Sequence, residues 1–285
     1  MAVVLKGSDV AKAMKEKMSA DIEQLKAKGI TPHLGIMRLG ERPDDLAYER
    51  SAVKKCESIG IECTVFQYPV EMTQQELIDE MKRLNGDPSI HGILLFRPLP
   101  KHIDENVMKH VIDPGKDVDC FSPVNVAKVF EGDNTGFAPC TPEAVMEILD
   151  FYKIPIEGKN IVVVGRSMVV GKPAAMMLIK KNGTVTICHT RTRNIEKICR
   201  EAEILVAAAG KAEMITGDFI GDGAVVVDVG INMNAEGNLC GDVNYAEASE
   251  KAGYITPVPG GVGTVTTSIL ARHVVDAAKK AGGLS

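Results

Sequence analysis

The sequence holds no C-x-x-C pair. Its seven cysteines, Cys56, Cys63, Cys120, Cys140, Cys188, Cys199 and Cys240, are odd in number and dispersed. That spacing argues against a structural zinc site or a disulfide framework and fits reduced thiols in a cytoplasmic protein. The six histidines include no i, i+4 pair, so no protein-ligated metal is expected. No apolar run approaches the roughly 18 residues of a membrane span. The opening MAVVLKGSDV lacks the apolar core of a secretory signal. An excess of positive charge is missing too. A net charge of −5 gives no electrostatic reason for a nucleic-acid or anionic-membrane partner. Internal repeats and low-complexity tracts are absent.

What remains is a chain of 285 residues, 45% apolar and 25% charged, long enough for two domains with separate cores. Helical and strand patterns alternate. A helix is expected over 8–29, with Ser8 or Asp9 as N-cap and Gly29 as its end. HLGIMRLG (33–40) reads as a strand, followed by a helix through Tyr48 that closes at Gly60. ECTVFQYP (62–69) is a second strand. Thr73 and Glu76 form a capping box. GILLFRPLP (92–100) reads as a buried strand stopped by two prolines. After APCTP (138–142) the alternation restarts with NIVVVG, TVTIC, EILVAAAG and AVVVDVG, β-branched runs typical of parallel strands covered on both faces. The fold class is therefore α/β, with two parallel-sheet lobes. The last stretch, from Val262, reads as a long helix.

The strongest local signal is IVVVGRSMVVGKPAAMMLIKK (161–181). A strand ends at Gly165, the chain turns, and a helix starts near Gly171 with Pro173 in its first turn. Glycines at such a turn let backbone N–H groups approach a pyrophosphate, and the helix N-terminus adds partial positive charge. The spacing is G-x-S-x-x-x-G, so the general dinucleotide fingerprint is met only approximately. After the next strand, CHTRTRN (188–194) carries Arg191 and Arg193 where an NAD site usually has a carboxylate. Guanidinium groups match a 2′-phosphate, so NADP is expected ahead of NAD; the plain alternative is surface charge on a loop.

GRSMVVGKP, AVVVDVGIN (224–232), CGDVN (240–244), KDVDCFSPVNV (116–126), APCTP and PVPGGVGT (257–264) stand in the order found in bacterial methylenetetrahydrofolate dehydrogenase/cyclohydrolase, which the chain resembles over nearly its whole length. The resemblance implies an N-terminal folate-binding domain over 1–141, joined by 266–285, and a Rossmann-like NADP-binding domain over 142–265. It implies a homodimer and a tetrahydrofolate substrate held between the lobes. It further implies oxidation of 5,10-methylenetetrahydrofolate and, commonly, hydrolysis of the methenyl product to 10-formyltetrahydrofolate. By the same resemblance Tyr48 and Asp119 are the catalytic positions, with Asp119 accepting the adjacent N–H donors of the pterin. Phe96, Pro257, Val258, Pro259, Gly260 and Gly261 border the substrate. Gly165, Arg166, Ser167, Gly171, Thr190, Arg191 and Ile231 meet the cofactor. Thr264-Val265 stand where the family has Pro-Met, a change expected to alter packing only.

One departure bears on chemistry. The family tyrosine is normally followed four residues later by a lysine on the same helix face; here that position is Ala52. Lys54 lies roughly 240° around the helix from Tyr48, and Arg50 about 200°. Lys55 is only about 20° off the Tyr48 face but roughly 10 Å along the axis. Phe96 also replaces a glutamine of the family strand, and Arg97 follows it. Hydride transfer needs alignment and no protein base. Hydrolysis of a methenyl bridge needs proton movement, where a positioned acid–base contributes about 10²–10⁴-fold. The expectation is a dehydrogenase with weak or absent cyclohydrolase. The alternatives are a fully bifunctional enzyme that uses Lys55 or a water network, and a non-catalytic folate and dinucleotide binder.

Overall fold

The computed structural model describes residues 2–284. In chain order the first elements are β1 (Val3–Val4), α1 (Gly7–Ala27), β2 (His33–Leu39), α2 (Pro43–Glu57), β3 (Glu62–Tyr68), α3 (Gln74–Gly86), β4 (Gly92–Leu95), α4 (Glu105–Met108) and α5 (Pro123–Glu131). There follow α6 (Cys140–Phe151), β5 (Asn160–Val164), α7 (Gly171–Lys180), β6 (Thr184–Cys188), α8 (Ile195–Arg200), β7 (Ile204–Ala207) and β8 (Val225–Asp228). A short hairpin, β9 (Asn232–Met233) and β10 (Leu239–Cys240), precedes α9 (Tyr245–Lys251), β11 (Tyr254–Ile255) and α10 (Val262–Ala281). Two compact units result. One comprises Ala13–Cys140 with 267–284, the other 2–12 with Thr141–Thr266.

In the first unit β2 lies between β3 and β4, all three parallel. Every β4 residue is buried, whereas β3 at the sheet edge is mostly half-exposed. The core under this sheet gathers Met37, Leu77, Met81, Leu84, Ile93 and Met108. The α3 capping box is present as the sequence predicts. The Thr73 N–H donates to Glu76 Oε2 at 2.7 Å, and the Glu76 N–H donates to Thr73 Oγ1 at 3.3 Å. The last helix belongs here: Val274 packs where a Cβ on Gly92 would go, and the Lys280 ammonium sits 4.3 Å from the Phe137 ring centroid.

Two expectations need correcting. The strand expected over 92–100 ends at Leu95. The Phe96 N–H still bonds to the Met37 carbonyl at 3.0 Å, but two prolines within the next four residues remove the donors a longer ladder needs. The first helix starts at Gly7, before both proposed caps. Its N–H donates to the Gly260 carbonyl at 2.8 Å, and a side chain there would collide with the Gly261 carbonyl. Backbone contact, and not a capping side chain, sets that terminus.

The second unit holds a six-stranded, all-parallel sheet in the order β1-β11-β8-β7-β5-β6. β7 and β8 are buried at every position, as strands covered on both faces should be. The edge strand β6 instead alternates, with Thr184 and Thr186 exposed.

Candidate functional site

In the first unit, three of the expected residues converge. Tyr48 projects from the middle of α2, and its ring centroid lies 5.8 Å from that of Phe96 at an interplanar angle of 58°. Phe96 follows β4 directly and is itself buried. Asp119 comes from the loop before α5. Its neighbour in sequence, Asp117, serves the fold: that carboxylate accepts from the Phe121 and Ser122 N–H groups, each at 2.8 Å, and from Asn125. Asp119 accepts from the Cys140 N–H at 3.0 Å. Burial holds the Asp119 carboxyl above its ordinary range, against the opposing pull of Cys140 and of the Arg97 guanidinium. Arg97 in turn lies over the Phe121 ring, 4.6 Å from its centroid.

Burial pushes the Tyr48 phenol well up, with further pressure from Cys140, Asp119 and Cys56. Tyr48 is therefore a neutral phenol, able to donate or accept a hydrogen bond but poorly suited as a base. The groups that add to the burial are a thiol, a carboxylate and a second thiol. Ala52, one turn on, is 0% exposed. Lys55 is held below its usual range by burial and by the cation of Lys15 on α1.

Sequence reading missed the support behind Asp119. The Cys140 thiol donates to the Val118 carbonyl at 3.3 Å, and His273 Nδ1 lies 2.8 Å from the same oxygen. His273 is 3% exposed and stacks on Phe137 at 5.2 Å. APCTP flagged Cys140 as part of a motif; His273, on α10, carried no local signal.

In the second unit the glycine turn after β5 follows from steric demands. Gly165 has φ of +139°, and a Cβ there would strike the Ala208 carbonyl. A Cβ on Gly171 would strike the Gly165 carbonyl. The G-x-S-x-x-x-G spacing thus lets α7 begin pressed against the end of β5. Arg166, Ser167, Met168 and Val169 are exposed on the turn. No side chain of Val170 caps α7; the Ser167 hydroxyl accepts from the Val170 N–H at 3.0 Å. An exposed glycine turn leading into such a helix end suits an anion. Thr190 and Arg191 lie exposed on the loop after β6, which His189 shapes by accepting the Arg191 N–H at 3.1 Å on Nδ1. Arg193 is exposed beside them.

Ile231 is 68% exposed just after β8, and its side chain would lie 3.5 Å from a Cβ on Gly263. That contact brings it beside the segment that contains Pro257, Val258, Pro259, Gly260 and Gly261. Gly261 is buried and has no room for a side chain beside the Pro257 carbonyl. The Thr264 N–H donates to the Gly261 carbonyl at 3.1 Å, a bond that proline at this position could not make. Among the described residues no three His, Cys, Asp or Glu side chains are grouped to hold a metal.

The profile described as the tetrahydrofolate dehydrogenase/cyclohydrolase catalytic domain matches residues 5–119, and that of the NAD(P)-binding domain of the same family matches residues 139–282. The bifunctional protein FolD of Alkaliphilus oremlandii is 57% identical over 279 residues, covering 98% of each chain. The solved bifunctional FolD of Campylobacter jejuni superposes with a TM-score of 0.96 at 40% identity, covering 98% of this chain and 99% of that one. The Trypanosoma brucei enzyme, solved with NADP and an inhibitor, gives a TM-score of 0.92 at 37% identity over 98% of both chains. With both profiles matched and identity this high across the full length, the chain belongs to the tetrahydrofolate dehydrogenase/cyclohydrolase family.

Proposed function

We propose that the protein is an NADP-dependent 5,10-methylenetetrahydrofolate dehydrogenase of one-carbon metabolism, with weak or no methenyltetrahydrofolate cyclohydrolase activity. The observation that carries the second half is the buried methyl of Ala52, one helical turn from Tyr48, with Phe96 packed on the tyrosine ring.

In this reading Asp119 accepts the pterin N–H donors, and Tyr48 and Phe96 present ring faces to the folate. The segment Pro257–Gly261 borders the substrate, and Ile231 the nicotinamide. Gly165, Arg166, Ser167 and Gly171 receive the pyrophosphate, while Thr190 and Arg191 serve the adenosine end. The glycine cradle that any Cβ would fill, and the exposed guanidinium groups, fit NADP. A relative's structure with NADP supports that choice. When bound, NADP supplies the hydride acceptor. The protein's task is alignment, since the folate nitrogens stabilise the cation left at the methylene carbon.

Hydrolysis of the methenyl bridge asks more of the protein. A water must lose a proton, and a ring nitrogen must gain one. Tyr48 is a neutral phenol, a guanidinium is a poor proton-transfer group, and Lys55 stands roughly 10 Å along the helix axis from Tyr48.

A fully bifunctional enzyme is the second reading, favoured by the names of the relatives. It would have to move the proton without an amine one helical turn from Tyr48, where Ala52 stands. Cytoplasmic residence is part of the proposal, in keeping with seven cysteines that form no disulfide among the described residues. So is a homodimer, consistent with the exposed apolar Met233 and Leu239 of the β9–β10 hairpin; light scattering at assay concentration checks it. The functional test supplies methylenetetrahydrofolate with NADP or NAD and identifies the product. Reduced NADP with accumulating methenyltetrahydrofolate is the expected result. No substrate-dependent reduction of either dinucleotide would overturn the enzyme reading and leave a folate and dinucleotide binder.

A further inference from the structure

Two acids in the motifs AVVVDVGIN and CGDVN have no part in the chemistry above, yet both are buried. Asp242 is 0% and Asp228 3% exposed. The Asp242 carboxylate accepts four hydrogen bonds. Oδ2 takes the Ala209 and Gly210 N–H groups at 2.6 and 3.0 Å; Oδ1 takes the Lys211 N–H and the Asn232 side-chain amide, each at 2.9 Å. Three consecutive backbone donors on one carboxylate wrap the loop after β7 around it. Asp228 works alongside. It accepts from the Gly230 and Val243 N–H groups at 2.9 Å and from the Asp242 N–H at 3.0 Å. Its own N–H donates to Thr256 Oγ1 at 2.8 Å, immediately before Pro257. Burial pushes the Asp228 carboxyl up to about 6, against the pull of those donors.

The glycines around the pair show how closely these loops fit. A Cβ on Gly230 would collide with the Asp242 carboxylate, and one on Gly241 with that of Asp228. Ala208, next to the first donor, is the residue whose carbonyl excludes a side chain at Gly165. The phosphate turn, the 208–211 loop, the loop that bears Ile231 and the start of the Pro257 segment are therefore all referenced to two carboxylates. Ile231 is largely exposed and has little packing of its own. Its place is set by Gly230 and Asn232 on either side, and both bond into this pair.

We propose that Asp242 is a positioning residue for hydride transfer, fixing through Asn232 and the 209–211 loop the backbone against which the nicotinamide lies. The proposal rests on the dinucleotide site assigned above. Misplacement by about 1 Å is enough to cost on the order of 10²-fold in rate, so a carboxylate that touches neither substrate nor cofactor can still govern catalysis.

The test is steady-state kinetics of the full chain with NADP and methylenetetrahydrofolate. Asp242→Asn keeps the volume but turns an amide N–H toward groups that are themselves donors. It should raise the NADP KM and lower kcat about 10-fold each, with the folate KM within about 2-fold. Asn232→Ala removes one bond and leaves the backbone three; about a 3-fold rise in NADP KM is expected. Asn232→Asp sets an anion against the Asp242 carboxylate and should do worse than Asn232→Ala. The Asn232 variants decide the matter even where Asp242→Asn fails to fold. An active wild type whose Asn232 variants leave the NADP KM unchanged, or raise both KM values alike, overturns the positioning role alone. A wild type with no NADP reduction overturns the functional reading and this inference with it.

Discussion

Ala52 puts a buried methyl group on the helix face where a proton-transfer amine would stand, and Phe96 closes on Tyr48 from the neighbouring strand end. If these two residues together withhold hydrolysis, as proposed, restoring only one should do little. A lysine forced against an apolar ring loses its solvation, so Ala52→Lys alone is expected to destabilise the chain and leave hydrolysis at the buffer rate. Ala52→Lys with Phe96→Gln should raise methenyl hydrolysis by about 10-fold or more, short of the full contribution of a positioned acid–base. Asp119 gives a prediction in pH. Its carboxyl is held above the ordinary value by burial, so the ionised form that the proposed pterin contact needs is lost earlier as pH falls. The acid limb of kcat/KM for the folate should lie above the usual aspartate value of about 3.9. Asp119→Asn should flatten that limb and cost on the order of 10²-fold in kcat/KM, the worth of two charge-assisted hydrogen bonds. Tyr48, Phe96 and Asp119, singled out by the resemblance, lie together in the first unit, their roles still those proposed. His273 was not legible, because a histidine on a long apolar helix is indistinguishable in sequence from core.

Elements whose boundaries are set by local chemistry were readable, and those set by distant backbone were not. Thr73 and Glu76 announced α3 through side chains three residues apart, and both capping bonds are there. Thr73→Ala should cost about 1 kcal/mol, a fall of roughly 2–4 °C in melting temperature for domains of this size. β1 and β11 have two residues each, too few for any periodic signal, and they exist because Val3 and Tyr254 find each other across the chain. The start of α1 likewise depends on Gly260 and Gly261. The glycine turn after β5 falls between these cases. The sequence reading placed its glycines, but their reason is two backbone contacts, Gly165 on Ala208 and Gly171 on Gly165. Gly171→Ala should therefore weaken NADP binding by at least about 10-fold, read as Kd by titration, because the helix end must retreat from the turn. Retained affinity would mean that α7 has slack the packing does not show.

At the scale of the molecule, chain order and unit membership diverge: residues 2–12 pair with the larger sheet, while most of the last helix packs with the smaller one. The helix's return was expected from the resemblance; the first strand's position was beyond the reach of a two-residue pattern. Ligand linkage gives a whole-chain test of cofactor choice. NADP at about 100 times its Kd should stabilise the dinucleotide unit by about 2.7 kcal/mol, seen as a rise in melting temperature. NAD at equal concentration should give a smaller rise, since Arg191 and Arg193 would lack a 2′-phosphate to hold. The measurement that bears most directly on the account is loss of methenyltetrahydrofolate absorbance with purified protein and no dinucleotide, against buffer alone. The account predicts the buffer rate from a preparation that oxidises methylenetetrahydrofolate with NADP. Hydrolysis clearly faster than buffer from that same preparation would contradict it, and would show that this family member moves the proton without the lysine.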